Sequence, residues 1–313
     1  MAKQKRTYNI IATEEELVNI NPKNLELWES FEMWLRNASR SPGTIKNYKS
    51  DIVNIFFAWL MKYQDNKFFG DIKPKDILLF QDHVTTTLGM GNNRVRRIKD
   101  CLSSFSNYII NFEDISGFEN VIRTVPSPKR IKKIKNPSIF TDEDIKLIFE
   151  GLISDYRYMD ACALAMVVYG GLRKTDVCQV KHDWFTKDHI EGNLYKSPET
   201  IKTKGDKDVH VYLLKKECDR WLYLWKKEYK KVKKRQIFAE GTDQWLFINR
   251  TNGYWVQADN DAMTAIQIHI NKVLENEGID KVFTFEEGRK YYKNYVDRVV
   301  KDPETLEMLK NNM

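Results

Sequence analysis

A basic segment bounded by prolines, Pro126 to Pro137 (PSPKRIKKIKNP), divides this 313-residue chain into two parts. Proline fixes φ and removes a backbone donor, so no regular helix or central strand runs through such a segment. Five of the seven residues from Lys129 to Lys135 are basic and none is acidic. A cationic run of this kind repels itself unless counter-charge is near. It reads either as a solvated linker or as one lying along a polyanion through Lys129, Arg130, Lys132 and Lys133. The chain is also longer than one typical domain, so two folded parts are the expectation.

Both parts carry helical periodicity. Leu25, Trp28, Phe31, Met33 and Leu35 recur at roughly helical spacing, and Tyr48, Ile52, Ile55, Phe56 and Trp59 share one face of the next segment. Ser41-Pro42-Gly43-Thr44, Gly70 to Pro74 and Gly89-Met90-Gly91 are the breaks, which leaves four helices with short connections. Beyond the linker, Thr141-Asp142-Glu143-Asp144 is a helix start, with a capping threonine and acids in the first turn. Trp184 to Leu213 switches to short β-type runs with turns at Gly192-Asn193 and Lys204-Gly205-Asp206, and helix returns at 215–234, at 259–277 and from Glu286. The expected fold is mainly α with a small antiparallel β-sheet. Its parts are a basic arm (1–22), a helical bundle (23–125), the linker (126–138) and a second domain (139–313).

Charge favours an anionic partner without requiring one. Fifty-one basic residues against 44 acidic give +7, an excess many ordinary proteins carry, so placement matters more than the total. The four cysteines, Cys101, Cys162, Cys178 and Cys218, show no CxxC spacing and stand near no histidine at zinc-ligand distance. No metal or cofactor is expected, and free buried thiols suit a reducing interior. No run approaches the roughly 20 apolar residues needed to cross a bilayer, and the N-terminus lacks a signal-peptide core. The expected location is the cytoplasm.

The basic residues gather at a few places. The helix after Gly91 opens with Asn92, Arg94, Arg96, Arg97 and Lys99, and Thr44, Lys46, Asn47 and Lys49 form a similar cluster. Such helix starts suit contact with a DNA backbone or groove, although a solvated polar face has the same composition. Lys226 to Arg235 holds seven basic residues and one acid, which reads as a cation-rich helix end or as a further DNA contact.

Taken in order, these segments resemble the tyrosine recombinases, the phage integrase family. SPGTIKNYKSDIVNIFFAWL and NNRVRRIKDCLSSFSNYI are similar to that family's core-binding (SAM-like) bundle, which clamps one side of duplex DNA. Tyr169-Gly170-Gly171-Leu172-Arg173-Lys174-Thr175-Asp176-Val177 resembles its first arginine box. The resemblance implies that Arg173 binds a phosphate through its planar donor fork, with Asp176 in support and Lys174 alongside. Ile201 to Leu213 resembles the hairpin that brings a lysine to the phosphate, Lys204 first and Lys202 second. Phe283-Thr284-Phe285-Glu286-Glu287-Gly288-Arg289-Lys290 resembles the second arginine box, with Arg289 in place and Lys290 beside it.

Two departures qualify the resemblance. The family's histidine position holds Glu286, whose carboxylate repels a phosphate where a histidine would donate to it. The Thr284-x-x-Glu287 spacing also gives these acids a capping role. The family's nucleophilic tyrosine lies roughly 30 residues beyond the second arginine, and no tyrosine follows Tyr295 in this sequence, so no covalent step is expected. Tyr291, Tyr292 and Tyr295 read as packing or phosphate-contacting residues. The expected function is sequence-specific binding of double-stranded DNA as a regulator, a phage lysogeny repressor in type, without strand cleavage. A homodimer on DNA and a peptide or protein anti-repressor are the further partners that reading allows. The alternative is an active site-specific recombinase, either diverged or truncated.

Overall fold

The computed structural model describes residues 11–130, 140–203 and 207–310, and the chain divides into two compact units after Ile134. Lys132, Lys133 and Lys204 lie outside the described residues.

The first unit is built from α1 (Pro22–Asn37), α2 (Pro42–Asp51), α3 (Ala58–Tyr63), α4 (Pro74–Asp82) and α5 (Asn92–Phe112). Pro22, Pro42 and Pro74 each occupy a first helical turn, where the missing N–H costs nothing. The side chains of Asn21 and Ser41 cap the first two helices by accepting from the backbone of Lys23 and Thr44. A π-helical stretch, Ile52–Phe57, joins α2 to α3 and another, His83–Thr87, extends α4. The core is aromatic: Phe31 meets Phe105 at 5.1 Å between centroids, and Phe56 meets Phe80 edge-on at 4.9 Å. Ile11, Ala12 and Ile20 are buried in the same core, so the segment ahead of α1 packs onto the bundle from Ile11.

The second unit opens with α6 (Asp142–Ser154), whose Thr141 and Asp144 form a reciprocal capping box. Then come α7 (Tyr158–Val168), α8 (Lys174–Val177), β1 (Ile190–Glu191), β2 (Leu194–Thr203), β3 (Lys207–Leu214) and α9 (Lys215–Arg235). The chain continues through β4 (Ile248–Thr251), β5 (Tyr254–Gln257), α10 (Asn260–Asn276), α11 (Phe285–Val299) and α12 (Pro303–Lys310). Every residue of α7 from Asp160 to Val168 is buried, so this helix is the axis around which the rest packs. α12 lies on α11 and the sheet, with Leu309 buried against Tyr292 and Leu194. No helix among the described residues is long and apolar enough to cross a membrane.

One β feature was underestimated from the sequence. The unit holds two antiparallel sheets, β1-β2-β3 and the separate hairpin β4-β5. The second hairpin turns at Asn252-Gly253, both at positive φ (51° and 87°), as the tight two-residue turns that match strand twist require.

The turn that carries the first arginine box follows α7. Gly171 has φ +68°, and a Cβ there would stand 2.4 Å from the ring of Tyr292. Gly171→Ala therefore meets both a forbidden backbone region and a buried ring, and should cost about 1–3 kcal/mol by denaturant unfolding. An unfolding midpoint unchanged from wild type would contradict this account of the turn.

Candidate nucleic-acid interface

In the second unit the Gly171 turn and the start of α11 bring two arginines together. Arg173 is the residue before α8, and its backbone N–H donates to Asp176 Oδ2 at 3.1 Å. The Asp176 carboxylate is almost fully buried and also lies 3.7 Å from Arg173 Nη1. From α11, Arg289 donates through Nε to the Gly171 carbonyl at 2.8 Å, which ties the second arginine box to the first. The two guanidinium groups are close enough that burial and the charge of Arg173 both lower the Arg289 pKa. Burial raises the pKa of Asp176, against the opposing pull of its Arg173 backbone bond and both arginine charges. Two half-buried cations held together by backbone bonds form a ready seat for a tetrahedral anion.

Glu286 sits at the edge of this pair. Its carboxylate is exposed and lies 3.9 Å from Arg289 Nη1. Glu287 is the buried member of the two acids. Its backbone N–H is capped by Thr284 Oγ1 at 3.1 Å, while its carboxylate accepts from Lys290 Nζ at 2.8 Å. That ion pair draws the Glu287 side chain along α11 instead of back to Thr284, so Thr284 caps the helix but the two-way box of α6 is not repeated. Lys290 is thus held by Glu287, and Lys174 Nζ donates to the Thr264 hydroxyl.

Each of the three tyrosines after Arg289 donates its hydroxyl within the unit. Tyr291 bonds Asp142 (2.9 Å), Tyr292 the Leu309 carbonyl (3.1 Å) and Tyr295 Glu217 (3.1 Å). Burial and the neighbouring carboxylates raise the Tyr291 pKa and push that of Tyr295 up to about 12, the opposite of what a nucleophile needs.

The hairpin of β2 and β3 is held to the arginine turn by a residue the sequence did not mark. The side-chain amide of Gln179 donates to the Lys202 carbonyl at 2.9 Å and accepts from the Lys202 N–H at 3.1 Å. Lys202 itself points its side chain to solvent.

In the first unit the α5 series separates into two sets. Asn92, Arg96 and Lys99 share a face and bind successive backbone carbonyls of the proline-bounded segment. Asn92 Nδ2 donates to Lys129 O (2.9 Å), Arg96 Nη1 to Pro128 O (3.0 Å), and Lys99 Nζ to Val125 O (2.8 Å) and Pro126 O (3.2 Å). Burial, with the charge of Arg96, lowers the Lys99 pKa. The segment up to Arg130 is therefore strapped antiparallel to α5, with Lys129 and Arg130 exposed.

Arg94 and Arg97 form the second set. Arg94 Nη2 lies 2.5 Å from Asp51 Oδ1 and Arg97 Nη2 3.0 Å from Asp51 Oδ2, with the aspartate fully buried at the end of α2. Asp51 is the only acid between Glu32 and Asp65, and that was the sequence signal for this clamp. It fixes α2 against α5, and with α2 the exposed Lys46, Asn47 and Lys49; Thr44 is half-buried beside Ser41. Arg97 keeps 48% of its side chain exposed, so its outer edge remains available.

The basic end of α9 is partly internal. Lys226 Nζ donates to the Phe185 carbonyl, Lys231 pairs with Glu228 and Lys233 with Asp243, while Lys230, Lys234 and Arg235 are exposed. Beneath them the His182 ring stacks on Tyr229 at 4.5 Å. No cluster of possible metal ligands occurs among the described residues.

No protein-family model matches the chain. A curated relative, the SPbeta prophage-derived recombinase-like protein YomM of Bacillus subtilis (strain 168), is 26% identical over 192 residues, 58% of this chain and 56% of that protein. The chain thus matches about half the length of that relative. Among solved structures, XerH site-specific recombinase bound to a palindromic difH substrate superposes with TM-score 0.60 at 16% identity, covering 95% of this chain and 86% of that one. Lambda integrase bound to DNA superposes with TM-score 0.59 at 14% identity, covering 91% and 90%. These likenesses establish the fold, which is that of the tyrosine recombinases.

Two measurements check the geometry. Asp51→Ala removes the buried acid and leaves two partly exposed arginines facing each other, and should lower unfolding free energy by about 1–3 kcal/mol. A loss below about 1 kcal/mol would mean that the clamp is not structural. Burial and the charges of Lys226, Lys233 and Lys230 depress His182 from 6.5 to about 4. The unfolded chain then binds the proton first, so stability present above pH 6.5 declines as pH falls towards 4. His182→Phe keeps the stacking ring and should flatten that decline in Tm; an unaltered slope would assign it to other groups.

Proposed function

We propose that this chain, with its tyrosine recombinase fold, binds duplex DNA by seating a phosphate on Arg173 and Arg289, and acts as a regulator by occupancy without cutting the strand. The observation that carries the proposal is the pair of arginines tied through the Gly171 carbonyl with Glu286 at its rim. A phosphate between two like charges relieves their mutual repulsion and gains charge-assisted hydrogen bonds. The grip is therefore chemically complete. Strand cleavage asks for more, namely a proton donor to the phosphate at the rim and an activated hydroxyl. Glu286 supplies an acceptor and a negative charge instead. Tyr291, Tyr292 and Tyr295 have their hydroxyls committed to the fold.

The names of the similar proteins support the DNA partner: XerH and lambda integrase are described bound to DNA, and YomM as prophage-derived and recombinase-like. Lys46, Lys49, Arg97, Lys129 and Arg130, exposed on the first unit, supply further backbone contacts in this reading. The second reading, an active site-specific recombinase, is favoured by the word recombinase in those names and by the paired arginines.

Binding sites recovered by genome-wide mapping provide the DNA. Arg173→Ala and Arg289→Ala should each weaken binding, and each lost phosphate contact should reduce the salt slope by about 0.9. Glu286→Gln should tighten binding a few-fold at low salt, because it removes a charge that repels the phosphate. Unchanged affinity and salt slope in both arginine variants would sink the phosphate seat. A covalent adduct trapped on a suicide substrate carrying the mapped site would sink the regulator and install the recombinase.

A further inference from the structure

We infer that Gln179 is a positioning residue that makes the β2–β3 hairpin and the Arg173 turn a single DNA-gripping element. The inference rests on the DNA-binding reading given under Proposed function. Near Lys202 one edge of β2 pairs with β3, where Lys202 stands opposite Asp208, and β1 pairs with β2 only at Leu194 and Tyr195. The other edge of β2 at Lys202 is thus open to whatever can supply a donor and an acceptor side by side. The primary amide of Gln179 supplies both, taking the N–H at 3.1 Å and giving to the carbonyl at 2.9 Å, as a neighbouring strand would. A single side chain thereby adds one residue's worth of ladder to the sheet.

The other end of the link is equally defined. Gln179 follows Cys178, the residue that caps α8; its N–H donates to the Asp176 carbonyl at 3.0 Å, and Nε2 also reaches the Thr175 carbonyl at 3.3 Å. Asp176 is the buried acid that holds the Arg173 backbone. The path from guanidinium to hairpin is therefore a turn of helix and one amide, with no flexible segment between. Ile201 and Val211 already anchor the hairpin in the core, and the amide adds a directional hold on the backbone at Lys202, nearer the turn. With the amide in place, Lys202 and the arginine seat present their charges at a fixed spacing, and less ordering remains to be done when DNA binds. Glutamine is suited to the task, since a carboxylate would lack the donor and a lysine the acceptor.

The test is a double-mutant cycle on DNA affinity, with Gln179→Met chosen to keep length and volume while removing both hydrogen bonds. Amide exchange at Lys202 in the free protein is followed in parallel. In the otherwise wild-type chain the substitution should speed that exchange and weaken DNA binding about five-fold, the order expected for losing ordinary hydrogen bonds. In a Lys202→Ala background the same substitution should weaken binding by less than about two-fold, because the residue acts through the hairpin. Equal losses in both backgrounds, or faster exchange at Lys202 with unchanged affinity, would overturn the coupling and leave the DNA reading standing. A wild-type chain that binds no DNA would overturn both.

Discussion

The hydrogen bond from Arg289 Nε to the Gly171 carbonyl is the contact on which the rest of the second unit's site depends. It joins residues 118 positions apart, and it can form only because the chain turns sharply after α7. That turn needs positive φ at Gly171 and a vacant space beside Tyr292, which no side chain allows. Once it is made, Arg173 begins α8, Asp176 buries its carboxylate beneath, and α11 delivers a second guanidinium. The two guanidinium groups then stand close enough for one to feel the other's charge, with Asp176 buried beside Arg173 and Glu286 at the rim of Arg289.

The first unit solves a related problem in a different way. Arg94 and Arg97 are drawn onto one fully buried aspartate, so part of their charge goes into fixing α2 against α5. Asn92, Arg96 and Lys99 go into holding the proline-bounded segment by its carbonyls. A helix with five polar and basic residues in its first two turns thus does three jobs: it anchors a neighbour, straps the segment that leaves the bundle, and keeps Arg97 partly outward. The exposed charges of Lys46, Lys49, Lys129 and Arg130 sit on backbone that this internal network holds in place. In the proposed DNA complex, a hold of that kind lowers the ordering cost of each phosphate contact.

Much of the fold was legible because its signals are local. Apolar spacing placed the helices, proline and glycine marked where they break, and Thr141 with the acids after it announced the helix start at which the structure places α6. The second hairpin leaves a signal in Asn252-Gly253, but strands of four residues each are too short for alternation to stand out. The destinations of the α5 side chains were not legible. Arginines that grip a phosphate and arginines that grip an aspartate look alike in sequence. Only a partner 46 residues away distinguishes them.

Two helical units around a basic, proline-bounded join could be read from the sequence, and its resemblance to the tyrosine recombinases singled out Arg173, Glu286 and Arg289 as candidates. The units follow from periodicity and backbone restrictions, which act over a few neighbours, whereas the three residues follow from the motifs that resemble the family's. Only the tertiary structure decided which charges face solvent and which are consumed inside, and that Gln179 ties the hairpin to the arginine turn. The physical reason is the range of the interactions. A helix is specified within its own turns, whereas a buried ion pair or a side chain standing in for a strand requires two distant segments to arrive at hydrogen-bonding distance.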